Sequence, residues 1–430
     1  MGYMRSEEYS DYSRRRQIMR NTAIIGCGQT PHRARRRDVS VAELVSEAVS
    51  AALEDAGITM KDVDCIFSGN MQGFGGIAQP DLWLGDWIGA PGKPAIRIAT
   101  GGTTGGSVAH GALYAVASGM YDIALAVAWE KHSDSKEAGA TTGLAHVGMG
   151  NLFHALSYGL SLKNLIATTA VGAAAGVAVY QARFYMHRSG ATIEHLDMVA
   201  AKDRRNAAKN PYAHLRWPNC QPEDIAKTEM IAYPFRYGHV CPASDGASCI
   251  VVAEEKLAKK LCKKPAWLLG LASYSDEENQ LQSENYGGVG VLDPSEQMGC
   301  RVSAKKAYAM AGITDPQKEI DLAEIYQPFP SQELIFAERL GLFDDGTAWR
   351  YLEKGETDIN GSMPTDLSGG VNATNAIGSS ALQRVLECAL QIMGKAGEHQ
   401  AAKPVHKAIA HGWGGVTNYI TVTILGDSPR

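Results

Sequence analysis

The 430-residue sequence has no CxxC pair, no excess of positive charge and no long apolar run. Its eight cysteines are scattered, which argues against both a structural zinc site and a disulfide scaffold in a chain of this length. Because 41 Lys and Arg residues are set against 46 Asp and Glu residues, the charge balance argues against a dedicated nucleic-acid binder. The first 21 residues lack the apolar core of a signal peptide. We therefore expect a cytoplasmic protein with reduced cysteines, no metal site and no nucleic-acid partner.

Aromatic residues are also scarce, at 7 %, whereas glycine occurs 46 times and hydrophobic residues make up 45 % of the chain. That hydrophobic share is sufficient for a large core, and the composition favours helices packed closely on sheets. The longest weakly polar stretch, 165–180, is shorter than the roughly 20 apolar residues of a membrane span. We predict no membrane span and interpret this stretch as a buried or ligand-facing segment that leads into a helix.

A strand–helix–strand pattern occurs twice in the chain. In each copy the helix ends in the same phrase, Ala-Gly-Ile-Thr, which starts first at Ala56 and again at Ala311. Glycine after the last turn is a typical helix terminator, and apolar residues recur at helical spacing before it. The predicted elements are strand 21–26, helix 41–56 and strand 63–67 in the first copy, and strand 266–271, helix 302–310 and strand 320–325 in the second. The repetition indicates two similar α/β halves.

Each half then continues in the same way. A turn of small or polar residues opens a helix, predicted over 108–118 in the first half and over 381–393 in the second, and apolar strands follow each helix. Apolar strands that alternate with helices indicate central strands between helical layers. We predict a flexible N-terminal arm at 1–20, an N-terminal half at 21–262 with an insertion at about 130–236, and a C-terminal half at 263–430.

Several phrases extend over nearly the whole chain in a consistent order. They are AGIT from Ala56, SGMYDIALAVAWEK from Ser118, NPYAH from Asn210, SDGA from Ser244, EIYQPF from Glu324, AERLGL from Ala337 and HGWGG from His411. Together they resemble the thiolase superfamily, most closely its sterol-carrier-protein-type (lipid-transfer) branch. The resemblance implies a duplicated five-layer αβαβα fold, a tight homodimer, a narrow tunnel for coenzyme A, and an inserted block that caps the active site.

The most informative departure from the family pattern is at Gly102. Counted back from Ser118, this is the position at which thiolases carry a nucleophilic cysteine, at a helix start that lowers the pKa of the thiol. The hydroxyls of Thr103, Thr104 and Ser107 are candidate replacements if a base activates them. Alternatively, these residues cap the helix and leave room for substrate, with Thr103 in the pocket. The resemblance also implies an oxyanion hole formed by the backbone N–H groups of Gly102 and of the turn 412–414, represented by Gly414.

Three side chains stand at positions that the resemblance marks as catalytic. Asn375 replaces a histidine, and its amide either donates a hydrogen bond to a thioester oxygen or caps the following helix. Tyr326 replaces an Asn or His, and its phenol is either a donor and acid/base group or a buried tyrosine satisfied by backbone. His411 is the best remaining titratable group, with a pKa range suited to proton transfer near neutrality, or it has a core role.

Further residues are expected around the substrate. Cys241 matches a family position near the pantetheine arm and is either a relocated nucleophile or a small buried thiol. Tyr237 and His239, just before it, are expected to face the same pocket. Basic stretches at 33–37 and 202–205, the latter with Arg204 and Arg205, either bind the phosphates of coenzyme A or form solvated charged faces.

Without the cysteine, the covalent route of Claisen thiolysis is blocked. An aldol or retro-aldol step on a β-hydroxyacyl-CoA needs only an oxyanion site and a proton-transfer group. The leading hypothesis is therefore an aldolase-type acyl-CoA lyase, with the coenzyme A thioester as substrate and no permanently bound cofactor. The resemblance to superfamily members that lack the cysteine and cleave steroid side chains also implies a small zinc-ribbon/OB-fold partner protein. The alternatives are an atypical β-ketoacyl-CoA thiolase or acyltransferase, and a non-catalytic acyl-CoA- or lipid-binding subunit.

Overall fold

The computed structural model describes residues 19–71, 79–137, 170–275, 293–414 and 419–430, and the side chains of all of these except 135–137 and 170–177. Residues 1–18 of the predicted N-terminal arm therefore lie outside the described residues, as do 165–169 of the weakly polar stretch. The rest of that stretch is itself helical, so the helix begins within the segment that the sequence predicts only to lead into it. Among the described helices, none is long and apolar enough to cross a membrane.

The first half alternates strands and helices in chain order. They are β1 (Thr22–Gln29), α1 (Val41–Ala56), β2 (Cys65–Gly69), α2 (Asp81–Trp87), β3 (Ala95–Arg97), α3 (Thr104–Ala117), β4 (Ile123–Glu130) and α4 (His132–Glu137). The predicted helix 41–56 is confirmed. Ser40 and Glu43 form a capping box at its start, and Gly57 ends it in the left-handed conformation, with a φ of 67°.

The residues predicted as an insertion contain further helices and a short hairpin. They are α5 (Ala170–Ser189), α6 (Ile193–Lys209), α7 (Pro222–Ala226), β5 (Met230–Ala232) and β6 (Phe235–Arg236). After them, β7 (Gly246–Glu254) and α8 (Glu255–Leu261) complete the first half. Helix α6 packs on elements of the second half, so the insertion contacts both halves of the chain.

The second half repeats the arrangement of the first. Its elements are β8 (Ala266–Ser275), α9 (Met298–Ala311), α10 (Pro316–Glu319), β9 (Leu322–Glu324), α11 (Pro330–Arg339), α12 (Ala348–Glu353), α13 (Gly370–Ala373), α14 (Ile377–Met393), β10 (Lys407–Gly414) and β11 (Tyr419–Gly426). The second Ala-Gly-Ile-Thr phrase ends α9 as the first ends α1, because Gly312 also adopts a positive φ, of 73°.

The sheet topology shows the duplication directly. The described strands form a nine-stranded sheet in the order β3-β2-β4-β7-β1-β8-β11-β10-β9, besides the β5–β6 hairpin. In the first half β2 and β4 are parallel, β4 and β7 antiparallel, and β7 and β1 antiparallel. The second half has the same sequence of pairings in β9, β10, β11 and β8. A parallel bridge between Ala323 and Thr365 stands where β2 pairs with β3 in the first half.

Helices cover both faces of each half-sheet. Helix α1 packs on β1 and β7, and α9 packs on β8 and β11. Helices α3 and α14 pack against each other between the two half-sheets, and the described strands of the two half-sheets are joined by the short pairing of β1 with β8. The predicted five-layer αβαβα fold is confirmed.

Helix α3 begins at Thr104, four residues before its predicted start at 108. Two glycines, Gly105 and Gly106, lie in its first turn. A Cβ at Gly105 would lie 2.4 Å from the backbone nitrogen of Leu382 in α14. A Cβ at Gly106 would lie 2.2 Å from the hydroxyl of Thr421. These glycines therefore permit the close approach of the central layer to its neighbours, at the expense of helix propensity.

A buried ion pair connects α14 to the end of β9. The Arg384 guanidinium binds the Glu324 carboxylate, and both side chains are fully buried. Arg384 also donates to the Ser368 hydroxyl at 2.7 Å. Because each charge compensates the other in a low-dielectric environment, removal of either one leaves an unpaired buried charge.

Replacing Arg384 by Met should therefore lower the free energy of unfolding by about 3–5 kcal/mol, because Glu324 loses its cation. The measurement is the urea midpoint of the purified variant. Lys395→Met is the matched control: its pair with Asp55 is partly exposed, so a loss of about 0–1 kcal/mol is expected. Equal effects of the two substitutions would contradict the assignment of Arg384 to a buried pair.

Candidate active site

Four loops and strand ends meet at one place in the fold. They are the loop before α3, the segment after β9, the turn before α14, and the carboxyl end of β10. The duplication explains their convergence, because α3 and α14 occupy equivalent positions in the two halves and pack side by side. Gly102, Tyr326, Asn375 and Gly414, which the sequence predicts as site residues, lie on these four segments.

The backbone at Gly102 is pressed against the end of β10. A Cβ at Gly102 would lie 2.6 Å from the Trp413 carbonyl oxygen and 3.1 Å from the Tyr326 hydroxyl oxygen. A Cβ at Gly414 would in turn lie 2.7 Å from the backbone nitrogen of Gly102. Both positions therefore exclude any side chain, and the Tyr326 hydroxyl lies beside the space that a side chain at position 102 would enter.

Tyr326 is 2 % exposed and lies directly after β9. Its ring centre lies 6.3 Å from that of Trp413, in a tilted arrangement. Burial, reinforced by the nearby Cys241 and Glu130, raises the pKa of Tyr326 well above its usual range. The phenol is therefore protonated at neutral pH and acts as a hydrogen-bond donor in this state.

Asn375 has a defined amide orientation. Its Oδ1 accepts a hydrogen bond from the Ser380 hydroxyl at 2.9 Å, and its Nδ2 donates to the Cys241 sulfur at 3.3 Å. The backbone N–H of Asn375 donates to the Ser244 hydroxyl at 3.2 Å. Ala376 rather than Asn375 is the N-cap residue of α14, and the Asn375 amide connects Cys241, through its Nδ2, to Ser380 near the start of that helix, through its Oδ1.

Cys241 is the thiol nearest to this cluster, and it is partly exposed. Burial raises its pKa to about 11, and the hydrogen bond from Asn375 offsets only part of that effect. A thiol with this pKa is almost entirely protonated at neutral pH. The reactive thiolate is therefore scarce, which fits a small buried thiol better than a relocated nucleophile.

His411 does not have the pKa that the sequence suggests. It lies on β10 and is 1 % exposed, and its ring centre is 4.4 Å from that of Phe336 in α11. Among the described residues, neither ring nitrogen has a hydrogen-bond partner. Burial lowers the pKa of His411 to about 3, so the ring is neutral at physiological pH. Proton transfer near neutrality by His411 is therefore not supported, because its ring is buried against Phe336.

The residues expected around the pocket differ in their surroundings. Thr103 is buried, and its hydroxyl donates to the Thr100 carbonyl oxygen at 2.7 Å, within its own loop. Tyr237 is 71 % exposed on the surface. His239 is buried and is hydrogen-bonded to Asp197 of α6 at 2.8 Å. Thr103 is therefore bonded within its loop, Tyr237 lies at the surface and His239 is bonded to α6. None of the three side chains is part of the Gly102–Tyr326 contact.

The two arginines expected at coenzyme A phosphates bind protein carbonyls. Arg204 is buried and donates to the backbone and side-chain oxygens of Asn372, at 2.8 and 2.9 Å, and to the Gly238 carbonyl. Arg205 donates to the Cys220 carbonyl at 2.8 Å. Arg204 thus differs from the expected phosphate ligand, because α6 turns it towards the interior. The other basic stretch also includes a buried member, Arg36, paired with Asp38 and Glu47.

Glu130, at the end of β4, is a site residue that the sequence analysis missed. It is fully buried, and its Oε2 accepts a hydrogen bond from the Met71 backbone N–H at 2.9 Å. A Cβ at Gly378, in the first turn of α14, would lie 2.7 Å from the same oxygen. Burial raises the pKa of Glu130 well above its usual range. A carboxyl group that ends an otherwise apolar strand was the available signal. Among the described residues, no group of three or more His, Cys, Asp or Glu residues is placed to hold a metal ion.

Comparison with known proteins covers both halves of the chain. Residues 22–216 match the family model "Thiolase, N-terminal domain", and residues 291–427 match "Thiolase C-terminal domain-like". An acetyl-CoA acetyltransferase of Methanothermobacter thermautotrophicus is 27 % identical over 95 % of this chain and 100 % of its own length. The 17-hydroxy-3-oxo-4-pregnene-20-carboxyl-CoA lyase of Mycobacterium tuberculosis is 29 % identical over 81 % of this chain and 86 % of its own length.

A solved structure, "Ltp2-ChsH2(DUF35) aldolase", has a similar fold. Its TM-score is 0.73 at 23 % sequence identity, and the match covers 95 % of this chain and 98 % of that chain. The similarity supports the architecture derived from the strand order and the packing of the layers.

The pKa of Cys241 predicts its reactivity. The rate of alkylation by iodoacetamide, followed by mass spectrometry of the Cys241 peptide, should rise about tenfold per pH unit from pH 7 to pH 10, because the thiolate fraction grows at that rate below a pKa of about 11. In Asn375→Ala the thiol loses a donor that stabilises the thiolate, so alkylation at pH 9 should be slower. A rate that levels off below pH 9 would instead indicate an activated nucleophile.

Proposed function

Because this chain belongs to the thiolase superfamily, we propose that it is an acyl-CoA carbon–carbon lyase of the aldolase type, which acts on a β-hydroxyacyl-CoA without a covalent acyl-enzyme. The observation that carries the proposal is the contact at Gly102. A Cβ there would lie 2.6 Å from the Trp413 carbonyl oxygen, so position 102, to which we assign the place of the thiolase nucleophile from the sequence resemblance, has no room for a cysteine side chain. Cys241, the nearest thiol, is protonated at neutral pH.

The residues that remain suit an aldol reaction. In cleavage, the β-hydroxyl gives up its proton, the Cα–Cβ bond breaks, and its electron pair forms the thioester enolate while an aldehyde or ketone leaves. The enolate then takes a proton at Cα. We assign stabilisation of the enolate oxygen to the backbone N–H groups of Gly102 and Gly414 and to the Asn375 amide. Each such donor is typically worth about 3 kcal/mol.

The proton on the β-oxygen is assigned to Tyr326. Its phenol is protonated in the resting state, so it is ready to donate a proton to the alkoxide that forms in condensation. In cleavage the neutral phenol relays the proton: it accepts the proton of the β-hydroxyl as its own proton passes to Cα of the enolate, so that no free phenolate is needed. The steroid-type lyase among the relatives supports this direction of reaction.

A second function has its own support. The acetyl-CoA acetyltransferase relative aligns over its entire length, which favours a β-ketoacyl-CoA thiolase or acyltransferase with an atypical site. A non-catalytic acyl-CoA-binding subunit is the third alternative. The name of the similar solved structure includes a second protein, ChsH2(DUF35), which supports a partner protein for this chain in any of the three cases. We propose that this partner is a small zinc-ribbon/OB-fold protein.

In the discriminating experiment, the purified chain is incubated, alone and with such a partner, with a panel of β-hydroxyacyl-CoA and β-ketoacyl-CoA thioesters. An aldehyde or ketone formed without consumption of free coenzyme A is the expected result. Tyr326→Phe should lower kcat/KM by about 10²- to 10⁴-fold, because the proton-transfer group is lost. Tyr237→Phe, at an exposed tyrosine, is the matched control and should leave the rate unchanged. Coenzyme A-dependent cleavage of the keto substrates would favour the thiolase, and binding without turnover would favour the subunit.

We also propose that two copies of the chain form a homodimer along β3. This strand ends the sheet and pairs only with β2 among the described strands. Ile96 of β3 is 53 % exposed, and the neighbouring α2 presents Leu82 and Trp83, which are 69 % and 54 % exposed. An exposed edge strand beside large apolar side chains is typical of a surface that a second copy covers.

Sedimentation velocity tests the dimer. The unmodified chain should sediment as a dimer, and Ile96→Asp should shift it to a monomer, because the charge would be buried against its symmetry mate. Met230→Asp places the same charge at an exposed apolar residue of β5 and should leave the dimer intact. A dimer that persists in Ile96→Asp would locate the interface elsewhere.

A further inference from the structure

Gln327, the residue after Tyr326, is fully buried and uses both ends of its amide. Its Nε2 donates to the Asp203 carboxylate at 3.0 Å and to the Asp366 carboxylate at 3.2 Å. Its Oε1 accepts a hydrogen bond from the backbone N–H of Asn372 at 3.0 Å. One side chain therefore connects the Tyr326 segment to α6, to the loop at Asp366 and to α13.

The hydrogen bonds of Gln327 continue to the other predicted site residues. Asn372 lies three residues before Asn375, and its Nδ2 donates to the His239 carbonyl at 2.8 Å and to the Pro328 carbonyl at 3.2 Å. His239 in turn lies two residues before Cys241, the acceptor of the Asn375 amide. The segments that carry Tyr326, Asn375 and Cys241 thus meet at the Gln327–Asn372 bond.

The charges around Gln327 require an amide at this position. Asp203 and Asp366 face it, with Glu333 and Glu324 behind them, and burial together with Glu333 raises the pKa values of both aspartates. The hydrogen bonds of the cations in this cluster go to other groups: Lys202 to Glu333 and Thr365, Arg384 to Glu324 and Ser368, and Arg204 to carbonyls. Arg384 also lies 3.8 Å from the other carboxylate oxygen of Asp366, Oδ1. The Gln327 amide is therefore the donor shared by the two aspartates.

The space around the amide is also restrictive. A Cβ at Gly370 would lie 2.2 Å from the Gln327 Nε2. Asp366 is itself held, since its Oδ1 accepts from the backbone N–H of Ile325 at 2.7 Å, one residue before Tyr326. Displacement of the amide would thus move the backbone on both sides of Tyr326.

We propose that Gln327 is the positioning residue that sets the Tyr326 phenol relative to the Asn375 amide, an inference that rests on the aldolase-type function proposed for this site. The hydrogen bonds to Asp203 and Asp366 anchor the Tyr326 segment, and the bond from Asn372 anchors the turn before α14. Gln327 acts through these two segments and touches no substrate.

The isosteric change Gln327→Glu tests the proposal. It keeps the acceptor for Asn372 but replaces the donor by a third carboxyl group that faces two aspartates. At pH 8, kcat for a β-hydroxyacyl-CoA should fall about 10²-fold, the scale of a misplacement of about 1 Å, while KM changes much less. Towards pH 6 the activity should recover relative to the unmodified chain, because protonation of the new carboxyl restores a donor. The double change Asp203→Asn with Gln327→Glu exchanges donor and acceptor on the Asp203 side, while Asp366 still faces a carboxyl group, so kcat at pH 8 should recover in part.

A second measurement does not depend on turnover. The alkylation rate of Cys241 reports the position of Asn375, whose amide lies 3.3 Å from the sulfur, and the partly exposed Cys262 after α8 serves as a control in the same sample. In Gln327→Glu at pH 8 the Cys241 rate should change at least about threefold, with Cys262 unchanged, and the double variant should move it back towards the original value. If no thioester is turned over, the proposed function fails, and the Cys241 rates still decide the role of Gln327.

Gln327→Met provides a variant of similar volume without charge, for the case in which Gln327→Glu fails to fold. The ratio of its Cys241 alkylation rate to that of the unmodified chain should be the same at every pH between 6 and 8, because methionine has no group whose protonation could restore a donor. A folded Gln327→Met or Gln327→Glu variant, as judged by its thermal midpoint, with unaltered Cys241 alkylation and kcat would overturn the proposal. So would a double variant that folds but leaves the Cys241 rate as altered as in Gln327→Glu alone.

Discussion

The contact between Gly102 and the end of β10 is the constraint on which the rest of the site depends. The Trp413 carbonyl oxygen lies only 2.6 Å from where a Cβ of Gly102 would be. Gly102, just before α3, can therefore contribute backbone groups but no side chain. The Tyr326 hydroxyl occupies the adjoining space. The close packing of α3 on α14, through Gly105, brings the two helix starts together. A site built in this way favours chemistry by hydrogen-bond donors over chemistry by a nucleophile.

Burial disfavours the charged form of each titratable group nearest to that contact. It raises the pKa of Tyr326 and of Glu130, raises that of Cys241 to about 11 and lowers that of His411 to about 3. In such surroundings a developing enolate would be the dominant local charge, and each N–H donor would act on it with little screening. The same low dielectric disfavours the charged form of each of these four side chains in the resting state.

The charge that the site lacks is concentrated one layer below it. Asp203, Asp366, Glu333, Glu324 and Arg384 form a buried network beneath the Tyr326 segment. Such networks contribute little net stability but have a strict geometry, because every member needs its partner. Gln327 belongs to this network and adjoins the site. The network thereby connects the inserted α6 to the second half of the chain beside the site.

The sequence by itself determined the local elements and the family. Apolar spacing, the capping box at Ser40 and the repeated Ala-Gly-Ile-Thr phrase predicted helix 41–56 and the duplication, because these signals act within a few residues of chain. It also identified Gly102, Tyr326 and Asn375, whose segments the fold brings together. Only the tertiary structure decided that His411 is buried against Phe336, that Arg204 points inward, that Glu130 lies at the site and that Gln327 adjoins it. Burial and hydrogen-bond partners depend on which faces meet across distant parts of the chain, and local pattern does not contain that information.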